Sequence, residues 1–372
     1  MRSGTGAVGL LLAGALLISA LDGHAAPATP AASTAAPPPT VAAQPVAPQA
    51  VGAPAPRNRA GQGAHGFRST SARVGSVAAP CGRTGPPAAG YRHVIWIWLE
   101  NRSYDTVIGG AGSWVRRQAP YLNQLAASCG LATNYHNVSH PSQPNYFAAV
   151  AGTTGGVHTN CEPSTCSLPG TPTLFGQVSA GGRQWRSYLE SMPSSCVARN
   201  VGTYVDRHNP VVYFPSDAAQ CQAADLPMGT LHDGPFAAAL DGNRLPAFSF
   251  VSPNVCTDMH SCPTRTGDDW LARWVPRIVA SPAYRQGSTA VFITFDEGEG
   301  GHTYQCATHV TDVGCHVATV VVAPSTPAGT RSSELFNHYS LLKTTEELLG
   351  LGPLLGHAAD ARTNSMATAF GL

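Results

Sequence analysis

The chain has 372 residues, of which 43% are hydrophobic and only 12% charged, and its formal net charge is +1. So small a charge excludes nucleic acid, or an anionic membrane surface, as a main partner held by electrostatic attraction. The charged fraction lies well below that of ordinary soluble domains, in part because the first eighty residues are rich in Ala, Pro and Gly.

The first 25 residues are typical of a signal peptide. Arg2 supplies a positive start, residues 8–21 form an apolar run, and small residues precede a cleavage site after Ala25 or Ala26. The run is shorter than the roughly 20 residues that a membrane-spanning helix needs. No cysteine precedes Cys81, which excludes a lipoprotein anchor. We therefore expect a secreted protein, extracellular or in the cell envelope, with no transmembrane anchor in its mature form.

Residues 26–80 form a low-complexity segment rich in Pro and Ala. A sequence of this composition stays extended and solvated, because it cannot bury enough apolar surface to fold. It is interpreted as a disordered linker that precedes one large catalytic domain at residues 81–372.

All ten cysteines lie between positions 81 and 315. An even number in an exported chain favours disulfides over free thiols. A structural zinc site is the alternative, but the chain has no CxxC pair. Spacing alone does not fix the connectivity. The short spacings suggest three local bridges, and two longer ones would complete a set of five: Cys161–Cys166, Cys256–Cys262, Cys306–Cys315, Cys196–Cys221 and Cys81–Cys129.

Apolar strand-like runs alternate with helical periodicity along the domain. Strands are predicted at 93–99, 246–251, 290–295 and 317–323, and helices at 121–127, 270–280 and 339–349. Such alternation predicts an α/β fold with a mostly parallel sheet covered by helices on both faces.

Two of these strands end on pairs of metal-type ligands. The run 93–99 is followed by Glu100 and Asn101, and the run 290–295 by Asp296 and Glu297. Open α/β sheets bind ligands beyond the carboxyl ends of their strands, so both pairs could share one hard divalent cation. The alternative is that each pair only caps a strand end or a following helix. The sequence does not choose among Ca²⁺, Mg²⁺, Mn²⁺ and Zn²⁺.

Ser142 is a candidate nucleophile. It lies between Pro141 and Pro144 in a sharp turn, and the run from Asn145 onward opens a helix. A hydroxyl at a helix start is exposed to free N–H groups that attract phosphate, and a nearby metal would lower its pKa. An ordinary N-cap serine is the competing interpretation. The chain has no GxSxG motif, which argues against an α/β-hydrolase.

His208 and His260 are the acid–base candidates. Both lie in polar loops beside strand-like segments, where catalytic residues concentrate. A histidine can protonate a leaving group or hold phosphoryl oxygens near neutral pH.

Seven segments resemble, in order, those of one bacterial phosphoesterase family, which includes secreted acid phosphatases and phospholipases C that cleave phosphatidylcholine or phosphatidylinositol. They are ENRSYD (100–105), SHPSQPNYFAAVAG (139–152), RHNP (207–210), PNVCTDMH (253–260), GDDWL (267–271), TFDE (294–297) and NHYSLLKTTEELLGL (337–351). The resemblance implies an alkaline-phosphatase-like three-layer α/β/α sandwich, here with disulfide bridges.

The resemblance also implies roles. Glu100, Asn101, Asp296 and Glu297 would bind the metal, and Ser142 would be transiently phosphorylated. His208 and His260 would hold the phosphoryl oxygens or protonate the leaving group. Further residues are expected to contact the substrate or support the site: His140, Asn145, Asp268 and Asp269.

The sequence departs from the family pattern at Ser261-Cys262 and in the loop 298–315, which affects the rim of the pocket and the choice of substrate. The expected function is a metal-assisted phosphomonoesterase acting on a phosphate ester, in which a phospholipid headgroup could carry the phosphate. A phospholipase C and a non-catalytic secreted binding protein remain as alternatives.

Overall fold

The computed structural model describes residues 79–300, 305–307 and 311–372. The predicted signal peptide, almost all of the predicted linker and part of the loop 298–315 lie outside the described residues. Nine strands form one sheet. They are β1 (His93–Leu99), β2 (Gly130–His136), β3 (Trp185–Leu189), β4 (Asp225–Pro227), β5 (Phe248–Ser252), β6 (Thr289–Phe295), β7 (His316–Val322), β8 (Arg331–Ser332) and β9 (Phe336–Asn337).

Helices connect these strands. They are α1 (Tyr104–Val107), α2 (Trp114–Gln118), α3 (Pro120–Ser128), α4 (Gln143–Ala151), α5 (Pro163–Cys166), α6 (Leu174–Ala180), α7 (Ala218–Ala224), α8 (Pro235–Asp241), α9 (Thr264–Ala280), α10 (Pro282–Arg285), α11 (His338–Leu348) and α12 (Ala367–Phe370). In the part of the chain that the structure describes, none of them has the length and apolar character needed to cross a bilayer.

The sheet is mostly parallel, as predicted. Its order is β4-β3-β5-β1-β6-β7-β2-β8, and β9 also pairs with β2. Only β7 runs antiparallel, to both β6 and β2. The parallel neighbours β1, β5 and β6 form the centre, and their side chains are almost all buried, which explains why their sequences are continuous apolar runs.

Helices cover both faces of the sheet. Trp185 and Tyr188 of β3 are three residues apart and therefore point to opposite faces. The ring of Trp185 packs on Phe175 of α6, and the ring of Tyr188 packs on Phe236 of α8. On the α6 side, Trp96 of β1 also donates a hydrogen bond to α11. The fold is thus the expected three-layer α/β/α sandwich.

All ten cysteines are paired in five disulfides, and the pairing is the one that spacing suggested: Cys81–Cys129, Cys161–Cys166, Cys196–Cys221, Cys256–Cys262 and Cys306–Cys315. No thiolate is therefore left to bind zinc, which removes the alternative of a cysteine-based zinc site.

Candidate active site

The two acidic strand ends lie side by side. β1 and β6 are parallel neighbours with Leu99 opposite Phe295, so the residues that follow them meet at one edge of the sheet. Glu100 and Asp296 are completely buried there. The Asn101 backbone N–H donates to Asp296 Oδ1 at 3.1 Å, and its side-chain amide donates to Glu297 Oε1 at 3.0 Å. The four predicted metal ligands therefore form one cluster.

Ser142 joins this cluster from the opposite side. It immediately precedes α4, in the N-cap position, but its hydroxyl caps no backbone N–H. The Oγ atom instead donates at 3.3 Å to Glu100 Oε2 and, at the same distance, lies in donor range of Glu297 Oε1. The structure thus replaces the ordinary N-cap interpretation with a hydroxyl held between two carboxylates.

His140 and Asn145 hold the far side of Glu297. His140 Nδ1 lies 2.9 Å from Glu297 Oε2, and its Nε2 lies 3.0 Å from the carbonyl oxygen of Gly314. The Asn145 amide donates to the same Glu297 oxygen at 3.4 Å, while its own oxygen accepts two backbone N–H groups of the preceding turn. Both residues therefore contact Glu297 and fix the orientation of its carboxylate.

His208 lies between two buried carboxylates. Its Nε2 is 3.0 Å from Glu100 Oε1 and its Nδ1 is 3.1 Å from Asp258 Oδ2. The ring stacks nearly parallel on Tyr146, with centroids 5.6 Å apart, and the Tyr146 hydroxyl donates to Glu100. Burial lowers the pKa of His208 well below its ordinary value and raises the pKa of Asp258 to about 7. The His208 imidazole is therefore neutral, and it is packed between Glu100, Asp258 and the Tyr146 ring.

His260 occupies a more open position. Its ring centroid lies 6.0 Å from that of His208, and its Nδ1 lies 3.0 Å from the Ser261 hydroxyl. Its backbone N–H donates to Asp258 Oδ1 at 2.7 Å. Burial, and then the neighbouring His208, lower the pKa of His260. Of the two histidines, this is the one with partial access to solvent.

The carboxylates of the cluster destabilise one another. The pKa of Glu100 is raised by burial and then by the nearby charges of Asp296 and Asp258, and that of Asp296 by burial and then by Glu297. Two buried oxygens, Asp296 Oδ2 and Asn101 Oδ1, have no hydrogen-bond partner. Packed carboxylates of this kind remain ionised only when a positive charge compensates them. Hard, unsatisfied oxygen donors are the ligands that divalent cations prefer.

Asp268 and Asp269 do not contact this cluster. Asp268 is buried and accepts the backbone N–H groups of Tyr121 and Leu122, in the first turn of α3. Asp269 is exposed and pairs with Arg265 one turn earlier in α9, at 2.8 Å. Their expected place beside the substrate is corrected by these contacts, because the open N–H groups of a neighbouring helix already satisfy Asp268.

Three further residues belong to the site and were not singled out from the sequence. Asp258 contacts both histidines, Tyr146 donates to Glu100, and His338 Nε2 lies 2.6 Å from the backbone oxygen of Asp296. Asp258 could have been identified from the sequence, because it stands two residues before His260 in the same polar segment. Tyr146 and His338 could not, because Tyr146 lies in the apolar run of α4 and His338 in the first turn of α11.

Comparison with known sequences settles the family. The model of the Phosphoesterase family matches residues 111–352. The chain belongs to the Phosphoesterase family. It is 31% identical to the phosphatidylinositol-3-phosphatase of Mycobacterium tuberculosis, over 73% of this chain and 81% of that protein. It is 28% identical to an acid phosphatase of Aspergillus fumigatus, over 72% of this chain but only 56% of the longer fungal protein.

Solved structures confirm the fold of this Phosphoesterase family member. A protein of the alkaline phosphatase superfamily from Vibrio parahaemolyticus superposes with a TM-score of 0.50 at 12% identity, covering 75% of this chain and 72% of that one. The lipoteichoic acid synthase LtaP of Listeria monocytogenes superposes with a TM-score of 0.51 at 11% identity, covering 77% and 80%. At such low identity the likeness concerns the fold alone, and it agrees with the alkaline-phosphatase-like architecture expected from the sequence.

Proposed function

We propose that the protein is a secreted, metal-assisted phosphomonoesterase in which Ser142 is the nucleophile. The observation that carries this proposal is the position of the Ser142 hydroxyl, 3.3 Å from oxygens of both Glu100 and Glu297 at the start of α4. A side chain serving only as a helix cap would bond the backbone of its own helix, and this one does not. Relatives named as phosphatases support the monoester as substrate.

One divalent cation fits the residues present. Glu100, Asn101, Asp296 and Glu297 would hold it, because they supply oxygen donors only and two of those oxygens lack any partner. Such a cation, when bound, offsets the carboxylate charge and favours the ionised form of the serine hydroxyl. An all-oxygen donor set favours Mg²⁺, Ca²⁺ or Mn²⁺ over Zn²⁺, which prefers sites rich in sulfur and nitrogen. It does not decide which of these cations binds.

The chain's own residues account for the two chemical steps. In the first step Ser142, in its ionised form, bonds through Oγ to phosphorus while the bond to the leaving oxygen breaks, and protonated His260 gives that oxygen a proton from its more open position. The first three residues of α4 offer no free N–H to the phosphoryl oxygens, because Gln143 N–H donates to Asn160 Oδ1, residue 144 is a proline and Asn145 N–H donates to the Ser142 carbonyl oxygen. In the second step water attacks the phosphoseryl phosphorus, the bond between phosphorus and Oγ breaks and inorganic phosphate leaves. His260 accepts the proton of the water, so that His260 is again protonated and Ser142 again ionised.

His208, Asp258 and Tyr146 orient the site rather than react. Asp258 holds Nδ1 of His208 at 3.1 Å, which leaves Nε2 directed at Glu100. Tyr146 supports both the ring of His208 and the carboxylate of Glu100. Supporting contacts of this kind fix the direction of the groups that touch metal and substrate.

Substrate assays test this function. Purified protein is offered a soluble aryl phosphomonoester, a phosphocholine diester and phosphoinositides, each with and without a chelator. We expect phosphate release from the monoesters, its loss on chelation and its recovery on adding back a divalent cation. Ser142→Ala should lower turnover by at least about 1,000-fold. Release of diacylglycerol from the diester would instead favour a phospholipase C, and no turnover of any substrate would favour a binding protein.

A further inference from the structure

Trp114 differs from every other tryptophan of the chain. Of the six tryptophans, five are buried, none more than 3% exposed, whereas Trp114 is 65% exposed. Tryptophan is enriched at interfaces and in the interfacial layer of membranes, because its ring is apolar while its N–H can remain in water. The position is also ordered locally, because the Ser113 hydroxyl accepts the backbone N–H of Arg116 and fixes the start of α2.

Trp114 lies toward the edge of the sheet that carries the site. The short helix α1 follows the site residue Asn101 and packs against both α2 and β7. In that packing the ring of Tyr104 stacks on His316, the first residue of β7, with centroids 4.4 Å apart. His316 pairs with His136 at the carboxyl end of β2. The antiparallel β7 therefore begins at the carboxyl edge, where the strand-end ligands are.

Val313 is a second exposed apolar residue at this edge. It is 68% exposed. The carbonyl oxygen of the next residue, Gly314, lies 3.0 Å from Nε2 of the site residue His140. Val313 is thus one residue away from a direct contact of the site. Among the residues that the structure describes, Trp114 and Val313 are the two most exposed large apolar side chains.

Two cations accompany the exposed ring. Arg116 and Arg117 follow Trp114 in α2, and in the described part of the chain neither forms an ion pair. The Arg117 guanidinium donates only to the backbone oxygen of Gly112, at 2.6 Å, and so keeps its full charge. An indole beside guanidinium groups without acidic partners has the chemistry that binds the surface of an anionic bilayer. Tryptophan inserts at the level of the headgroups, and arginine is attracted to their negative charge.

We propose that Trp114, Val313, Arg116 and Arg117, here called the rim patch, dock the protein on an anionic phospholipid surface. Docking would present the site edge to phosphorylated headgroups, so the inference rests on the proposed function and narrows its substrate to a phosphomonoester embedded in a membrane. A net charge of +1 gives little long-range attraction. Insertion of the indole should therefore contribute more than either arginine alone.

Vesicle binding gives a direct test, since only one tryptophan is accessible. The full chain is mixed with vesicles of phosphatidylcholine alone or with about a quarter phosphatidylserine, a composition that strengthens the surface potential. We expect a blue shift of the fluorescence, protection of Trp114 from iodide, and quenching by lipids brominated on their acyl chains, all stronger with the anionic vesicles. Iodide quenching that is equal with and without vesicles would overturn the proposal.

Variants separate the contributions. Trp114→Ala and, independently, Val313→Asp should weaken the partition onto anionic vesicles about tenfold or more in a sedimentation assay. Arg116→Gln and Arg117→Gln should each weaken it about fivefold at low salt. Arg244→Gln is the matched control, because this exposed arginine also donates to a backbone oxygen, that of Ala238, and lies just before β5, at the opposite edge of the sheet. An equal loss in the control variant would contradict a specific rim patch.

Activity assays keep this inference distinct from the proposed function. The rim variants should hydrolyse a soluble aryl phosphate like the wild type but lose about tenfold in rate on a phosphoinositide presented in vesicles. If the wild type hydrolyses neither substrate while vesicle binding persists, the proposed function fails and the docking surface stands. If Trp114→Ala abolishes self-association and leaves vesicle binding intact, the patch is an interface between copies and the docking proposal fails.

Discussion

The acidic residues at the strand ends and the acidic pair Asp268-Asp269 of α9 look alike in the sequence, but the hydrogen bonds and charges around them differ. Glu100 and Asp296 are buried at the ends of two adjacent strands, where burial and neighbouring carboxylates raise the pKa of both, and one Asp296 oxygen has no hydrogen-bond partner. Asp268 is equally buried, yet it accepts two backbone N–H groups, and Asp269 pairs with arginine in solvent. Buried charge indicates chemistry where the fold leaves it uncompensated, and structure where the backbone satisfies it.

The largest difference should appear when a strand-end carboxylate is neutralised. Asp296→Asn keeps the shape but removes one of the charges that would hold the cation. Loss of an outer contact to a metal ligand costs about 10- to 100-fold in affinity, so loss of the ligand itself should cost at least about 100-fold. Calorimetric metal titration measures this loss. The metal-free variant should also unfold at a higher denaturant concentration than the wild type, since a buried repulsion is gone.

A smaller effect on the same cluster is expected from Asp258→Asn. The asparagine keeps the shape of the side chain beside His208 but removes the negative charge 3.1 Å from its Nδ1. We expect kcat on an aryl phosphate to fall about 10- to 100-fold with little change in KM. Asp269→Asn serves as the control and should match the wild type. A change in KM alone would show that Asp258 contributes to substrate binding rather than to orientation.

Asp225 tests how another buried carboxylate behaves when hydrogen bonds satisfy only part of it, since its Oδ1 has no partner. It accepts from the Asn209 amide at 2.8 Å, but burial still raises its pKa to about 7. Between its unfolded pKa near 3.8 and about 7, the folded protein binds more protons than the unfolded chain. Stability from this group is therefore lost as the pH rises through that window.

Asp225→Asn should remove this part of the pH dependence. Relative to the variant, the wild type should lose up to about 4 kcal/mol of unfolding free energy between pH 4 and pH 7. Denaturant unfolding at several pH values, with the disulfides intact, measures the difference. Parallel pH profiles for the two proteins would show that Asp225 stays ionised in the folded state.

The acidic pair of α9 should affect stability alone. Asp268→Ala leaves the Tyr121 and Leu122 N–H groups without acceptors and should cost about 1–3 kcal/mol. Asp269→Ala removes a surface ion pair and should cost less than about 0.5 kcal/mol. Both variants should hydrolyse an aryl phosphate at the wild-type rate. A drop in kcat for Asp268→Ala at full folding would return this residue to the active site.

Local pattern predicted the centre of the fold well. The run 93–99 coincides with β1, and the helix predicted at 339–349 corresponds to α11, which spans His338–Leu348. These elements are buried on every side or strongly amphipathic, so their own sequence determines their structure. Strands β2 and β3 were missed, because the sequences GLATNYH and WRSYL mix polar and apolar residues without a clear period.

Contacts between distant segments account for what the sequence could not predict in the site. Glu100 and Asp296 could be placed together, because parallel strands end at a common edge. The engagement of Asp268 with α3 joins residues 146 positions apart and has no local signal. The contact between Asp258 and His208 depends in the same way on two loops meeting at the end of the sheet.

Trapping of the covalent intermediate tests the central claim most directly. Protein mixed with an excess of an aryl phosphate is quenched in acid within one turnover, digested and analysed by mass spectrometry. We expect a phosphoryl group on the peptide containing Ser142, and its absence in Ser142→Ala. Full turnover with no phosphopeptide, or phosphorylation of another residue in the wild type, would contradict it.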